Sequence, residues 1–308
     1  MLRSVFLYLS AAEWARKWIV RIGLTRRAVD RFVAGDTLAD GLDAARRLNE
    51  RGMGVSLDHL GESVSDEAGA RQAVQAYLEL LDAIHASGVR ATVSLKLTQL
   101  GLDIDEALCV TNLRRILDKA RETGGHITID MESTAHTDAT LRVFRTVRAD
   151  YENVGIVIQA YLYRSEADLR ALAAEGAFVR LCKGAYKEPP EHAFPDKSDV
   201  DANYVHLMKL YLGDEARANG AYLAIATHDE AMIAAARAYI KEHDVPYDAF
   251  EFQMLYGIRS KLQEQLRDDG FQVVVYVPYG TQWYPYYMRR LAERPANVWF
   301  ILSNFFRR

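Results

Sequence analysis

The chain has 308 residues, too many for one small domain and few for two, which suits a single eight-fold β/α barrel with an extension. Half of it is hydrophobic and 26% is charged, with a formal net charge of -4, so it can bury a sizeable core and carries no basic run suited to nucleic acid. Two cysteines, Cys109 and Cys182, make no disulfide framework, the eight histidines show no metal-ligand spacing, and there is no uninterrupted run of about 18 apolar residues to span a membrane.

Residues 1–50 read as helical. Trp14, Ala15 and Trp18 continue an apolar pattern at helical spacing, so the start is taken as an amphipathic helix and not as a cleaved signal, and the chain as a protein of the reducing cytoplasm. Asp36 and Thr37 stand where an N-cap belongs, ahead of a helix over 38–49 that Gly52 and Gly54 end. A unit then recurs: a short β-rich run, a turn and a helix-period segment. The runs are 55–60, 91–97, 126–132, 155–162, 178–183, 222–228, 250–255 and 273–279, with helical stretches such as 66–86, 105–122, 137–149 and 165–175 between them. Strands alternating with helices pair in parallel, and eight units close a barrel. An open doubly wound sheet is the alternative, but no GxGxxG follows the first strand. The expected fold class is therefore α/β, a helical extension over 1–50 and a TIM-like (β/α)8 barrel over 51–308. The longest connection, 184–203, carries Pro189, Pro190 and Pro195; a lid and a solvated excursion are both open readings of it.

Barrel strands alternate between the interior and the helix layer. Thr92, Ser94 and Lys96 oppose Val93, Leu95 and Leu97; Thr128, Asp130 and Glu132 oppose Ile127, Ile129 and Met131; Ser56 and Asp58 oppose Val55 and Leu57; Glu251 and Gln253 oppose Phe250, Phe252 and Met254. The apolar face must meet the helices, so the polar face points inward. Charges there have to pair or meet a ligand. Asp58 and Glu251 sit mid-strand and suit a layer of ion pairs at the barrel bottom. Lys96 and Asp130 lie near the C-terminal strand ends, where barrel active sites are built. Arg180 joins them from the fifth strand by the same alternation. Gly184 and Ala185 keep the next bend open to a ligand, and Gln159, Thr227 and His228 reach the same rim. A lone His or Gln is more often a satisfied core group; it is their convergence that points to a site.

After the last strand comes a helical stretch with Arg289, Arg290 and Glu293. Glu293 lies four and three residues beyond the two arginines, so one carboxylate can orient both guanidiniums. Arginine suits planar, bidentate recognition of a carboxylate. A solvated helix face is the bland alternative, disfavoured by the position directly after a closing barrel strand.

Taken together, these residues resemble the proline dehydrogenases over about residues 31–297. The resemblance is carried by Arg-Leu-Cys-Lys-Gly-Ala-Tyr over 180–186, by Tyr-x-x-Arg-Arg-x-x-Glu over 286–293, and by Ser94-Leu95-Lys96, Asp130-Met131-Glu132 and Thr227-His228-Asp229. It implies a distorted barrel holding FAD at the strand ends, oxidation of L-proline to Δ1-pyrroline-5-carboxylate by hydride transfer to flavin N5, and reoxidation by a membrane quinone. It further implies that Arg289, Arg290 and Lys96 bind the proline carboxylate, that Asp130 fixes this basic cluster and that Arg180 lies beside flavin N5. Met131, Gln159, Lys183, Gly184, Ala185, Thr227 and His228 match flavin-contacting positions, and Tyr276 and Leu255 match residues around the proline ring. Cys182 departs from the pattern, standing where an aliphatic residue is expected. Two rival readings stay open: a Schiff-base aldolase using Lys96, and a non-catalytic carboxylate-binding barrel. The amphipathic start and the apolar tail 298–308 are read as membrane-facing elements or as packing against the barrel or a second subunit, the latter making a homo-oligomer.

Overall fold

Short runs rich in Val, Ile and Phe form eight strands: β1 Gly54–His59, β2 Ala91–Leu95, β3 Ile127–Ile129, β4 Val154–Gln159, β5 Phe178–Cys182, β6 Tyr222–Ala226, β7 Phe250–Leu255 and β8 Val273–Tyr279. They come from a computed structural model that describes residues 29–293, except 62 and 187 and the side chains of 291–293. All neighbours pair in parallel and β8 returns to β1, closing the barrel expected from the sequence. At the closure Ser56 lies opposite Tyr276 and Asp58 opposite Pro278.

Helices fill the connections: α1 Leu38–Glu50, α2 Glu67–Ser87, α3 Glu106–Thr123, α4 Thr134–Arg148, α5 Ser165–Ala174, α6 Lys197–Leu212, α7 Asp214–Ala218, α8 Glu230–Glu242, α9 Ser260–Asp268 and α10 Tyr284–Glu293. Their starts follow local chemistry. Thr37 and Asp40 form a reciprocal capping box at α1, and Asp66 and Asp105 accept from backbone N–H groups at α2 and α3.

The ring of helices is completed in an unusual way. Helix α1, assigned by sequence to an extension, buries Gly41, Ala44, Ala45 and Leu48 and packs against β1 and β8. It thus occupies the place that the helix after the last strand would take. Helix α10 instead buries Tyr284, Tyr286, Tyr287 and Met288 against Val29, Phe32, Val33 and Leu60, with Ile258 at the edge. Leu60 and Ile258 lie just past the C-terminal ends of β1 and β7, so α10 lies across the barrel mouth.

Several expected strands are shorter than their runs. Residues 97–100 form a 3-10 turn (Leu97–Leu100), and β3 ends at Ile129. Polar side chains there capture backbone: Glu132 accepts from the Thr98 N–H at 3.2 Å and from its hydroxyl at 2.8 Å, which bends both strand ends off the ladder. The expected 184–203 loop is also shorter, because Lys197 already begins α6, whose Tyr204, Leu207, Met208 and Tyr211 are buried at helical spacing. What remains is tethered: Phe194 N–H donates to Tyr161 O at 2.8 Å, and Thr134 N–H donates to the Glu188 carboxylate at 3.0 Å.

Candidate active site

The floor of the mouth is built by five strands. Arg180, on β5, is 4% exposed and donates through Nη1 to Asp130 Oδ1 at 2.8 Å. Its Nη2 reaches Ser94 Oγ at 2.9 Å and Ser56 Oγ at 3.2 Å, and the two hydroxyls are 2.8 Å apart. Asp130 Oδ2 accepts from the Tyr276 hydroxyl at 2.7 Å and from Lys96 Nζ at 3.3 Å. Lys96 Nζ also lies 3.5 Å from Asp58 Oδ1. The Tyr276 ring closes the group, 5.2 Å from the Arg180 guanidinium carbon. Two carboxylates and two cations thus balance in formal charge, which is what allows them to be buried together.

This environment fixes protonation. Burial alone would lower the Lys96 pKa, but Asp58 and Asp130 more than offset it and hold the ammonium well above its ordinary value. Tyr276 is pushed far up by burial and by Asp130 and Asp58, so it remains a neutral phenol that donates. Burial likewise raises Tyr186, while Arg289 and Lys96 pull it down.

Arg289 is half-buried on α10, and its charge acts on both Lys96 and Tyr186, so two of the three expected carboxylate ligands lie near each other. Arg290 is buried and stacks over Tyr286, 5.1 Å from its ring centre. The expected hold of Glu293 on both arginines falls on a side chain outside the described residues.

The residues expected to contact FAD line the rim from β3 round to β6. Met131 is buried, and Gln159 donates to Glu132 O at 2.9 Å. Lys183 is gripped by Asp201 and by Asp229, the latter at 2.8 Å. Gly184 has φ +115°, and a Cβ there would lie 2.4 Å from the Tyr161 ring, so only glycine fits. Ala185 follows, half-buried. Thr227 is buried, and His228 Nε2 accepts from the Leu255 N–H at 3.2 Å, which places a neutral ring's proton on Nδ1. Leu255 itself is half-buried at the end of β7. This rim carries the Lys183 ammonium, held by its two carboxylates, and the glycine backbone at 184, and Arg180 Nε is buried with no hydrogen-bond partner among the described residues. A flat, phosphate-bearing cofactor fits that donor set.

Three expectations need correction. Asp58, read as part of a bottom layer, is the penultimate residue of β1 and belongs to the site through Lys96. The sequence run was drawn one residue too far at its end, which made Asp58 look central. Glu251 does lie at the lower end of the barrel, yet it has no ion pair among the described residues: Gln253 at 2.5 Å and Tyr222 at 3.3 Å satisfy it, and burial raises its pKa. Glu132, grouped with the inward residues, turns to Thr98. Sequence reasoning also missed Ser56 and Ser94 as partners of Arg180; their one signal was a place on the inward face.

Fold and site together define the class: a TIM-like barrel enzyme whose buried acid–base floor opens at the C-terminal ends of its strands. The profile of the family described as proline dehydrogenase matches residues 41–302. The chain is 44% identical over 303 residues to proline dehydrogenase 1 of Bacillus subtilis, covering 98% of each. It is 43% identical over 279 residues to the proline dehydrogenase of Deinococcus radiodurans, covering 89% of this chain and 88% of that one. Its fold matches proline utilization A of Bdellovibrio bacteriovorus inactivated by N-propargylglycine, with a TM-score of 0.81, 27% identity and 87% of this chain covered. The present chain spans 32% of that longer protein. The chain belongs to the proline dehydrogenase family.

Proposed function

We propose that the chain oxidises L-proline to Δ1-pyrroline-5-carboxylate with FAD and passes the electrons to a quinone, the first step of proline breakdown to glutamate. The observation that carries this reading is the Lys96 ammonium, held charged between Asp58 and Asp130 under the mouth that α10 covers with Arg289 and Arg290. Lys96 and Arg289, close enough for their charges to act on each other, suit one carboxylate, with Arg290 next to Arg289 on α10. Lys96, Arg289 and Arg290 bind and orient it, Tyr276 and Leu255 pack beside the ring, and Asp130 keeps Lys96, Arg180 and Tyr276 in fixed relation.

Met131, Gln159, Arg180, Lys183, Gly184, Ala185, Thr227 and His228 would hold FAD. Lys183 would meet its phosphates, and Gly184 would let the backbone approach. When bound, FAD supplies the two-electron acceptor for the hydride from the ring carbon next to nitrogen. The protein's share is to orient the ring and to keep water from the floor.

The aldolase alternative needs a neutral lysine amine, and two carboxylates around Lys96 work against that. A non-catalytic barrel is separated by experiment. Anaerobic titration of the purified holoprotein with L-proline should bleach the flavin absorbance stoichiometrically. A bound flavin that proline leaves yellow would sink the proposal. Contact with a membrane quinone suits the amphipathic start and the tail, which lie outside the described residues. Among the described residues no helix is long and apolar enough to cross a membrane.

A further inference from the structure

We propose that Asp58 is a positioning residue of the substrate site, holding the Lys96 ammonium charged and directed at the substrate carboxylate. The inference rests on the reading of Lys96 as a carboxylate ligand. Asp58 is 1% exposed, and both of its carboxylate oxygens are buried with no hydrogen-bond partner among the described residues. Its strand neighbours do not satisfy it. Pro278, opposite on β8, has no N–H, and the hydroxyl of Ser94, opposite on β2, is engaged with Arg180 and Ser56. Its one ion pair among the described residues is with Lys96, at 3.5 Å. A buried carboxylate without hydrogen bonds is costly, so its charge is the feature that needs explaining.

Asp130 cannot do the same work. Its two oxygens are shared among Arg180, Tyr276 and Lys96. Alone, it would draw the ammonium sideways toward the Arg180 side of the floor. Asp58 pulls from another strand, so Lys96 is held between two anions, and among the described residues only Asp130 takes an N–H from it. Asp58 also balances the floor: without it, two cations would face one carboxylate, and burial would then favour the neutral amine. A neutral Lys96 binds a carboxylate poorly, so the loss of Asp58 should appear as a pH dependence absent from the parent protein.

The test uses the FAD-loaded full chain and Asp58→Asn. The probe is cyclopentanecarboxylate, a proline-sized ring acid with no amine to titrate or oxidise, its binding followed by calorimetry between pH 7 and pH 10. The parent protein should bind with nearly constant affinity. Asp58→Asn should lose affinity as pH rises, by about tenfold per unit above the lowered lysine pKa. At pH 8 the KM for proline should rise by about tenfold or more with kcat changed far less. A flat affinity profile in Asp58→Asn, with or without a lower Tm, overturns the proposal, because a merely structural carboxylate would give that result. A second comparison needs only thermal unfolding. Lys96→Met strands Asp58, so Lys96→Met/Asp58→Asn should melt higher than Lys96→Met; equal or lower melting of the double variant overturns the coupling, even where Asp58→Asn alone does not fold. If Lys96→Met binds the ring acid as tightly as the parent, the underlying assignment of Lys96 fails, a result distinct from failure at Asp58 alone.

Discussion

Tyr276 and Asp130 are joined across the barrel mouth by a 2.7 Å hydrogen bond from phenol to carboxylate, although they stand 146 residues apart. The same phenol ring lies beside the Arg180 guanidinium, so one side chain both restrains the central acid and walls the cavity. Tyr276→Phe keeps the wall and removes the restraint. A hydrogen bond to a charged group contributes about 1.5–3 kcal/mol. The expected outcome in steady-state kinetics is a fall in kcat/KM of about tenfold or more, with flavin content unchanged.

Arg289 and Arg290 should separate in their effects. Arg289→Met should raise the KM for proline by about ten- to a hundredfold, equivalent to one lost charged hydrogen bond, and leave the melting temperature near that of the parent. Arg290→Met also removes a buried guanidinium stacked on Tyr286, so it should lower both proline affinity and Tm. Unchanged proline kinetics in both variants would remove the clamp from the reading.

Arg180→Met breaks a buried pair with Asp130 and leaves that carboxylate without its best donor. Breaking such a pair typically costs about 3–5 kcal/mol. Urea unfolding should show a loss of unfolding free energy of that size, and activity should be lost even where the variant stays folded.

Gly184→Ala tests the rim separately from the floor. The φ of +115° and the Tyr161 ring 2.4 Å from a Cβ both oppose the methyl. The variant should purify with less flavin per chain by absorbance, while far-ultraviolet circular dichroism remains that of the barrel. Full flavin loading would show that the backbone there is not approached.

The barrel base predicts the acid response. Burial brings His126 down to about 4, helped by Arg180 and Arg148. A folded-state pKa below the unfolded value means that the unfolded chain binds the proton first as pH falls. Stability from this group is therefore full above about 6.5 and declines through the interval down to about 4, by roughly 3 kcal/mol in all. Chemical unfolding as a function of pH should lose that segment of the curve in His126→Gln.

The eight strands were legible because their inner and outer faces alternate cleanly, as in Ser56 against Leu57 or Thr128 against Ile129. Lys96, Asp130 and Arg180 followed from the same rule, since a charge on the inward face has few reasons to be there. What alternation alone could not give was the height of a residue in the middle of its run. Asp58 and Glu251 look alike by alternation, and only the register of β1 with β2 and of β7 with β6 sends one to the mouth and the other to the base. Nor could periodicity show that residues 197–203 continue a helix, because prolines just before them read as loop chemistry. The place of α1 was hidden for a related reason: a helix pattern states which face is buried, not which strands will cover it.

The seating of α1 between β1 and β8 also bears on the order in which the molecule assembles. This helix is synthesised before any strand of the barrel, yet half of the surface it packs on is not made until residue 279. Contacts so distant along the chain form late, because a long loop must close before they gain anything. The earliest described helix is thus among the last parts to dock, and until it does, its Ala44, Ala45 and Leu48 stay open to solvent or to a chaperone.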